Sequence, residues 1–396
     1  MSMFATISWT NRFKAIILGL GLGLVILNSG NWWRIFTVHV PNCSQSDCIA
    51  DFTMFYALGA LIREDRYSLY DLEKQHAYQK KIAPAERVLP GPYPPITALL
   101  ISPLSLVSFA HAFLLVTIAN LLLLAATLRL LARELSLTRD QAQWLALFAL
   151  CNFGVQAVVF YGQISALVLY LMARHVTTAK KLQERKAGIW AALLCIKPQF
   201  LLVPHFILLL RRHWRGLAAG ICISMGLIVG GFLLVGPQAT KDYFFLVQHM
   251  ASEDNEWWNQ WRAMHNLRAL TIYWLPGNWQ AYVWAVGCFG VIASIALVNF
   301  KSRETDQDFA ARWIVNLLGL LIAIPHLFTH DLTLLVLPVA LILSLSDARV
   351  PIWLGVSLTA IGILPAVNYL LPTIMAGTLV FLFLGGLYLT CHSTRQ

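Results

Sequence analysis

Hydrophobic residues occur along this chain in long continuous runs that polar residues interrupt only briefly. An α-helix needs about 20 residues to cross a bilayer. Three uncharged stretches approach or reach this length, at 112–127, 216–235 and 376–390. The runs do not alternate apolar with polar positions, as the strands of a membrane β-barrel would. Hydrophobic residues make up 58% of the chain and charged residues only 12%, whereas a soluble domain carries about a quarter charged residues. The pattern predicts an all-α polytopic membrane protein.

Two longer polar stretches separate the apolar runs and define the predicted organisation. We expect a single integral membrane domain over residues 1–396, with a first outer loop at 28–93 and a second outer loop at 236–280. Within the first loop, residues 63–79 predict a helix that lies on the membrane surface. The second loop is rich in tryptophan, which is enriched at membrane–water interfaces. Its tryptophans are Trp257, Trp258, Trp261, Trp274 and Trp279.

The formal net charge of +10 is concentrated in short loops between the apolar runs. An excess of lysine and arginine in such loops marks the cytoplasmic side of a membrane protein, so this charge orients helices and does not indicate nucleic-acid binding. Arg12 and Lys14 precede the apolar segment 15–27, which we interpret as an uncleaved first helix that runs outward from the cytoplasm. The basic clusters are Arg129/Arg133/Arg139, Lys180/Lys181/Arg185/Lys186, Arg211/Arg212/Arg215 and Lys301/Arg303.

The path of the chain between residues 94 and 210 has two interpretations. In the one that we prefer, 139–174 and 186–211 each run outward and return, the second turning near Lys197-Pro198-Gln199 between two half-length helices. In the other, 94–108 and 110–131 are separate spans, 188–210 is one span, and two basic loops lie outside. Both place the two outer loops and residues 328–331 on the same outer face, which is all that the functional argument requires.

The sequence lacks the motifs of the common soluble catalytic sites. It has no Gly-rich phosphate loop, no His-Glu-x-x-His pattern and no supported Ser-His-Asp set. The seven cysteines show no metal-ligand spacing, and we expect neither a metal nor a cofactor. Cys43 and Cys48 in the first outer loop are either a disulfide or two free thiols. Without a nucleotide-binding fold, an activated donor for this chain would be a lipid.

Polar residues converge on the outer ends of the apolar runs, and polar groups inside a membrane indicate function by default. Asp51 is the foremost candidate, as a catalytic base, although an aspartate before a helical run is also a good N-cap. Lys197 is consistent both with an anionic ligand and with a side chain that reaches the lipid headgroups. The other members have individual explanations as surface turns or lipid contacts, and they are Gln163, His265, Asn266, Arg268, His330 and Asp331.

Short motifs containing these residues follow one another in a recognisable order. They are Asp51-Phe52 with Tyr56 and Gly59, Tyr70-Asp71, Tyr93-Pro94-Pro95, Gly162-Gln163, Lys197-Pro198-Gln199, His265-Asn266-Leu267-Arg268 and Phe328-Thr329-His330-Asp331-Leu332. The ordered set resembles glycosyltransferase family 87. The chain departs from the family where the family often has a Trp-Asp-His-His-type run, since Leu327-Phe328-Thr329-His330-Asp331 stands there instead.

The resemblance implies a GT-C-type glycosyltransferase fold with about 11–13 transmembrane or half-membrane helices. It implies transfer of a hexose, commonly mannose, from a polyprenyl-phosphate-sugar donor to a lipid-linked or glycan acceptor on the outer side of the membrane. We expect a bacterial inner (cytoplasmic) membrane, an active site that faces the periplasm, and a role in the cell envelope.

The resemblance also assigns roles to individual residues. Asp51 matches the first-loop acidic residue that acts as the base, and His330 matches the family's late histidine, so these two are the predicted catalytic residues. Lys197 and Arg268 are predicted to bind the donor phosphate, because cations stabilise a departing phosphate. A single base without a protein nucleophile predicts inversion at the anomeric carbon. The predicted substrate-binding residues are Tyr56, Tyr93, Gln163, Gln199, His265, Asn266 and Asp331.

Two other functions compete with this hypothesis. A lipid or sugar transporter or flippase would also have broken helices with polar residues. The sequence shows no repeated halves, and its polar residues gather at one face instead of the midplane, so we prefer the enzyme. A structural subunit of an envelope assembly complex is the third interpretation, and it predicts mild effects of substitution at the candidate residues.

Overall fold

The computed structural model describes residues 29–43, 51–83, 88–251, 264–300, 305–345 and 372–393, and these residues are almost entirely helical. Within these ranges there is no β-strand, and one isolated antiparallel bridge joins Met264 to Phe328. The predicted all-α architecture is therefore confirmed. The predicted first helix at 15–27, Cys48, three of the loop tryptophans and the basic pair at 301 and 303 lie outside the described residues.

The described α-helices of seven or more residues are labelled here in chain order. They are α1 (Phe52–Glu64), α2 (Leu72–Ile82), α3 (Pro95–Ile101), α4 (Phe109–Glu134), α5 (Arg139–Cys151), α6 (Phe153–Tyr161), α7 (Ser165–Lys180), α8 (Glu184–Ala192), α9 (Leu202–Leu210), α10 (Trp214–Ala251), α11 (Leu267–Trp274), α12 (Gly277–Asn299), α13 (Asp306–Ala323), α14 (Val336–Ser344) and α15 (Pro372–Ser393). Shorter helical segments are Ile35–His39, Val40–Cys43, Arg66–Ser68, Ser102–Leu106, Leu193–Ile196, Pro198–Phe200 and Thr329–Leu335.

Full-length and half-length apolar helices occur together. In the described part of the chain, three helical stretches are long and apolar enough to cross a membrane, namely Phe109–Glu134, Trp214–Gln248 and Gly277–Asn299. A fourth crossing results if α5 and α6, which meet at an angle of 52°, are counted as one bent span. Four further apolar helical stretches are shorter, at Pro95–Leu106, Pro198–Leu210, Thr329–Ser344 and Ala376–Tyr388. The structure is that of a polytopic membrane protein with several broken helices.

Helix α4 shows how a span divides its surface between lipid and protein. One side carries large exposed apolar residues three or four positions apart, as a lipid-facing stripe requires. The opposite side is buried against the rest of the protein, where Asn120 donates to the Gln163 carbonyl at 3.0 Å. The exposed residues are Leu114, Leu115, Ile118 and Leu122, and the buried ones include Phe113, Val116, Asn120, Leu124 and Thr127.

The predicted surface helix at 63–79 was wrong in its bounds. Helix α1 continues to Glu64, a short 3₁₀ turn follows at Arg66–Ser68, and a separate helix α2 begins at Leu72. The carboxylate of Asp71 caps α2 by accepting the backbone N–H groups of Glu73 at 2.9 Å and Lys74 at 3.1 Å. This cap starts a new helix in the middle of the predicted one.

The helical structure is interrupted at Lys197, which lies between the 3₁₀ segments Leu193–Ile196 and Pro198–Phe200. Lys197 is extended, with φ −138° and ψ 81°, as expected for a residue that precedes proline. The Thr97 hydroxyl of α3 donates to the Ile196 carbonyl at 2.7 Å and attaches this turn to the Tyr93-Pro94-Pro95 segment. The predicted break between two half-length helices is present.

Candidate active site

Asp51 lies where a helix N-cap would be, but its side chain does not cap α1. Its backbone is already α-helical, and the carboxylate makes no capping hydrogen bond. Instead, Gln163 Nε2 donates to Asp51 Oδ2 at 2.6 Å. The Asp51 side chain remains 25% exposed. The carboxylate is therefore directed to a tertiary contact and is not needed to satisfy the helix end.

Gln163 is held at this point by the turn between α6 and α7. Gly162 ends α6 in the left-handed conformation with φ 63°, which glycine adopts without a steric penalty. A Cβ at Gly162 would also lie 2.7 Å from the Cβ of Phe52 in α1. Asn120 Nδ2 of α4 donates to the Gln163 carbonyl at 3.0 Å. The turn thus brings the amide of Gln163 against the residue that precedes α1.

A buried ion pair lies next to this contact. The Lys197 ammonium donates to Asp331 Oδ1, and their side chains are 2% and 0% exposed. Ser165, the first residue of α7, donates to the same oxygen at 2.9 Å and accepts from Lys197 Nζ at 3.2 Å. Because desolvating two charges is costly, such a pair is retained only with close geometry and additional hydrogen bonds, both of which are present here.

His330 lies between the two carboxylates. Its Nδ1 is 3.9 Å from Asp51 Oδ2, and its Nε2 is 3.6 Å from Asp331 Oδ1. Both distances are too long for hydrogen bonds but short enough for electrostatic interaction. The residue is 6% exposed. His330 is therefore a buried ring within electrostatic reach of both carboxylates.

The motif His265-Asn266-Leu267-Arg268 contacts the extended segment that leads to His330. The backbone N–H of His265 donates to the Leu327 carbonyl at 2.9 Å, and its ring Nε2 lies 3.0 Å from Thr329 Oγ1. Asn266 caps α11 through its side-chain oxygen and donates Nδ2 to the Ile324 carbonyl at 2.6 Å. Arg268 Nη1 lies 3.1 Å from His326 Nε2. The motif thus holds the residues immediately before His330.

Burial raises the pKa of the Asp51 carboxyl above its ordinary value, because the charged form loses hydration. The Gln163 hydrogen bond and the positive charge of Lys197 lower it in part, while the charge of Asp331 raises it. Burial likewise raises the pKa of the Tyr93 hydroxyl, and the charges of Asp331 and Asp51 act in the same direction. Tyr93 therefore borders the cluster and stays a neutral hydrogen-bonding group.

The predicted site residues fall into three groups in the structure. The first group forms one cluster, with Tyr93 beside it, and consists of Asp51, Gln163, Lys197, His330 and Asp331. The second group holds the adjoining segment and consists of His265, Asn266 and Arg268. The third group lies apart from these contacts. Tyr56 instead donates its hydroxyl to the Val107 carbonyl at 2.7 Å and packs on Phe52 and Phe109. Gln199 is half-buried in the 3₁₀ turn after Lys197.

Sequence reasoning missed several residues of this site. Ser165 joins both members of the ion pair, Asn120 holds the Gln163 turn, and Asn152 caps α6 and donates to the Leu332 carbonyl at 3.4 Å. His326 is the partner of Arg268. Asn120 offered a signal, as an amide within a long apolar run. Among the described residues, no group of three or more His, Cys, Asp or Glu side chains is placed to hold a metal ion.

Comparison with known families gives one match, to the model of glycosyltransferase family 87 over residues 92–325, which is more than half of the chain. The matched range contains Tyr93, Gln163, Lys197 and Arg268, and the fold brings Asp51, His330 and Asp331 from outside the range to them. Neither the curated proteins nor the solved structures yield a significant match. The chain therefore belongs to glycosyltransferase family 87 and is a membrane glycosyltransferase.

Proposed function

We propose that the protein transfers a hexose, with mannose as the first candidate, from a polyprenyl-phosphate-sugar donor to a lipid-linked or glycan acceptor. Asp51 is the base, and the anomeric carbon inverts. The fold is of the GT-C type, and the reaction takes place on the periplasmic side of a bacterial inner membrane. The outer loops at 28–93 and 236–280 lie on that side.

One observation supports this proposal above the others, namely the environment of Asp51. The carboxylate is oriented by Gln163, its pKa is raised by burial, and a quarter of its side chain is exposed. Among the described residues, no hydrogen bond reaches its second oxygen, Oδ1. A base needs access to its proton source and a pKa closer to the working pH than that of an ordinary carboxylate, and Asp51 meets both requirements.

The proposed chemistry is a single displacement. The acceptor hydroxyl oxygen forms a bond to the anomeric carbon as the bond from that carbon to the phosphate oxygen breaks. The hydroxyl proton passes to Asp51, and the electron pair of the broken bond leaves with the polyprenyl phosphate. Such general-base assistance typically contributes about 10²–10⁴-fold to the rate.

The role of Asp331 favours inversion over retention. A retaining enzyme needs a second carboxylate that is free to attack the anomeric carbon. Asp331 is completely buried and its charge is paired with Lys197, so it is a poor nucleophile although its Oδ2 has no hydrogen-bond donor among the described residues. Asp51 alone is then left as a reactive carboxylate in the cluster.

Lys197 and Arg268 are the candidates for contact with the donor phosphate. Lys197 is already paired with Asp331, so a phosphate would have to share its ammonium group with that carboxylate. Arg268 is half-buried, and its guanidinium also lies 6.0 Å from the ring centre of Trp284. Arginine binds phosphate in a forked geometry that lysine does not offer. We assign the direct contact to Arg268 and a shared contact to Lys197.

Two buried acceptor atoms at the cluster fit a ligand that carries hydroxyl groups. Gln163 Oε1 and Asp331 Oδ2 have no hydrogen-bond donor among the described residues. Buried polar atoms of proteins are usually paired, and a sugar hydroxyl is a donor. Both residues were predicted to bind substrate, and these atoms are the places where such contacts would form.

The test is sugar transfer by membranes that contain the Asp51→Asn variant, supplied with radiolabelled polyprenyl-phosphate hexose. Asparagine keeps the size of the side chain and an oxygen for the Gln163 hydrogen bond, so the fold is expected to persist. We expect the rate to fall by about 10²–10⁴-fold, the contribution of a general base.

Asp65→Asn is the matched control, because this carboxylate is exposed and pairs with Lys74 at 2.6 Å on the protein surface. It should leave transfer unchanged. Near-normal transfer by Asp51→Asn would overturn the proposal, and transport of the lipid without sugar transfer would favour the transporter. Mass spectrometry of lipids from a deletion strain then identifies the acceptor and the sugar.

A further inference from the structure

Two glutamine side chains of α2 are almost completely buried, although glutamine is mostly found at protein surfaces. Gln75 is 1% exposed and Gln79 is 3% exposed, and they lie one turn apart on the same face of the helix. Lys74, His76 and Lys81 of the same helix are exposed. The buried face of α2 is thus built around two amides. Burying an amide costs free energy unless its hydrogen bonds are made, so the partners of these side chains matter.

Gln79 binds the backbone of the non-helical segment 88–94, which leads to Tyr93 and α3. Its Nε2 donates to the Leu89 carbonyl at 2.7 Å, and its Oε1 accepts from the Leu89 N–H at 2.9 Å. A residue in a neighbouring antiparallel strand would exchange the same two bonds with Leu89. The side chain of Gln79 therefore takes the place of a strand beside this segment.

Gln75 and Tyr70 bind the same segment further along. The Gly91 N–H donates to Gln75 Oε1 at 3.0 Å, while Gln75 Nε2 donates to the Leu69 carbonyl at 2.8 Å. The Tyr70 hydroxyl donates to the Tyr93 carbonyl at 2.6 Å. Both amides are thus satisfied, and each of them makes one bond as donor and one as acceptor.

These hydrogen bonds fix the register of the segment. They fall on Leu89, Gly91 and Tyr93, which are alternate residues, and alternate residues of a strand-like chain direct their backbone groups to the same edge. A slip by one residue would turn these groups away from the glutamines and would reverse the direction of every side chain in the segment. An apolar face on α2 would not prevent such a slip, because burial is not directional.

The register determines where the side chain of Tyr93 lies. Its ring centre is 4.8 Å from that of Phe55 in α1, and its hydroxyl lies close enough to Asp51 and Asp331 to experience their charges. Tyr93 is thus the point at which the segment held by α2 meets the candidate active site.

We propose that Gln75 and Gln79 are positioning residues for the transfer reaction. They fix the register of residues 89–93 and thereby hold the Tyr93 hydroxyl at the cluster, where it donates a hydrogen bond to the substrate. The proposal rests on the proposed function for this last contact, because it takes Tyr93 to be a substrate-binding residue.

The test measures kcat/KM for labelled polyprenyl-phosphate hexose in membranes that contain equal amounts of each variant. Tyr93→Phe should lower kcat/KM about fivefold, the effect of one neutral hydrogen bond. Gln79→Met removes both bonds to Leu89 with little change in side-chain size and should lower it by a similar factor. The double variant should also lose about fivefold and not about 25-fold, because changes that remove one shared contact are not additive.

Gln141→Met is the matched control. Gln141 Nε2 also donates to a distant backbone carbonyl, that of Leu343 at 2.7 Å, but this contact joins α5 to the end of α14 that is remote from His330. Its substitution removes a comparable bond without touching the segment that holds Tyr93. It should leave kcat/KM unchanged, both alone and in the Tyr93→Phe background.

Gln75→Met gives an answer even if Gln79→Met misfolds, because the bonds of Gln79 to Leu89 remain in place. It should lower kcat/KM about threefold, and this effect should disappear in the Tyr93→Phe background. Unchanged kcat/KM in both glutamine variants would overturn the proposal. So would losses that multiply with that of Tyr93→Phe, since the glutamines would then act without Tyr93.

Hydrogen exchange of the peptide that contains Leu89 and Gly91 tests the contacts without any donor. Slow exchange in the parent protein that becomes fast in the glutamine variants supports the proposal, and equal exchange in all of them contradicts it. Absence of transfer by the parent protein counts instead against the proposed function. The failure of one proposal is therefore distinguishable from the failure of the other.

Discussion

The buried pair of Lys197 and Asp331 allows a quantitative test of how the site is held. Replacing Lys197 by methionine leaves the Asp331 carboxylate buried without its cation, and loss of one partner of a buried pair typically costs about 3–5 kcal/mol. Asp331 is completely buried, but Ser165 still donates to it at 2.9 Å, so we expect the lower end of this range. Asp331→Leu should cost a similar amount, because it leaves the ammonium group unpaired.

The double variant Lys197→Met/Asp331→Leu should recover most of this loss, since replacing both charges by apolar groups is often neutral or stabilising. The measurement is the free energy of unfolding in mixed detergent micelles for the four proteins of the cycle. The exposed pair of Lys74 and Asp65 is the control and should show no measurable coupling. The reasoning is refuted if each single variant is as stable as the parent, or if the double variant loses the sum of the single losses.

Two further predictions concern the geometry around this pair. Gln163→Leu removes a hydrogen bond that favours the charged form of Asp51, so the pKa of this carboxyl rises. The acidic limb of the pH–rate profile should then move to higher pH. The control is Gln238→Leu, which removes a similar but exposed hydrogen bond at 2.8 Å to Asp242 and should leave the profile in place. Gly154→Ala would put a Cβ 2.5 Å from the backbone nitrogen of Thr333, so both stability and transfer should fall, whereas Gly226→Ala, with open space around it, should be silent in both assays.

The sequence predicted several features of the fold that depend on local rules. The apolar runs 112–127 and 216–235 identified two of the three membrane-length helices, whereas the third, Gly277–Asn299, was not among the named runs. Pro198 identified the break at Lys197, because proline restricts the residue before it. The surface helix at 63–79 failed for an equally local reason. Asp71 caps α2 and so sets where that helix begins, a signal that the apolar pattern does not contain.

For the site, the sequence indicated which residues converge but not how they pair. Lys197 was expected to meet a donor phosphate, and the structure shows it bound to Asp331, which is 134 positions away along the chain. The sequence allowed Asp51 either to act as a base or to cap a helix, and the structure excludes the cap, because the backbone of Asp51 is helical and its carboxylate accepts from Gln163 instead. Such pairings depend on how segments far apart in the chain pack together, and hydrophobic periodicity in a single sequence does not indicate them.

The ion pair explains how one end of the protein acquires a defined geometry. Three chain reversals meet there: the turn before α7, the break at Lys197 and the 3₁₀ segment that contains His330 and Asp331. Apolar side chains around them would tolerate small shifts along each helix, because dispersion and burial are not directional. The bonds among Ser165, Lys197 and Asp331 have direction and form only when all three reversals are in one register. The same register places His330 between Asp331 and Asp51. The Lys197–Asp331 ion pair, which is costly to bury, therefore aligns the proposed base Asp51 with the rest of the site.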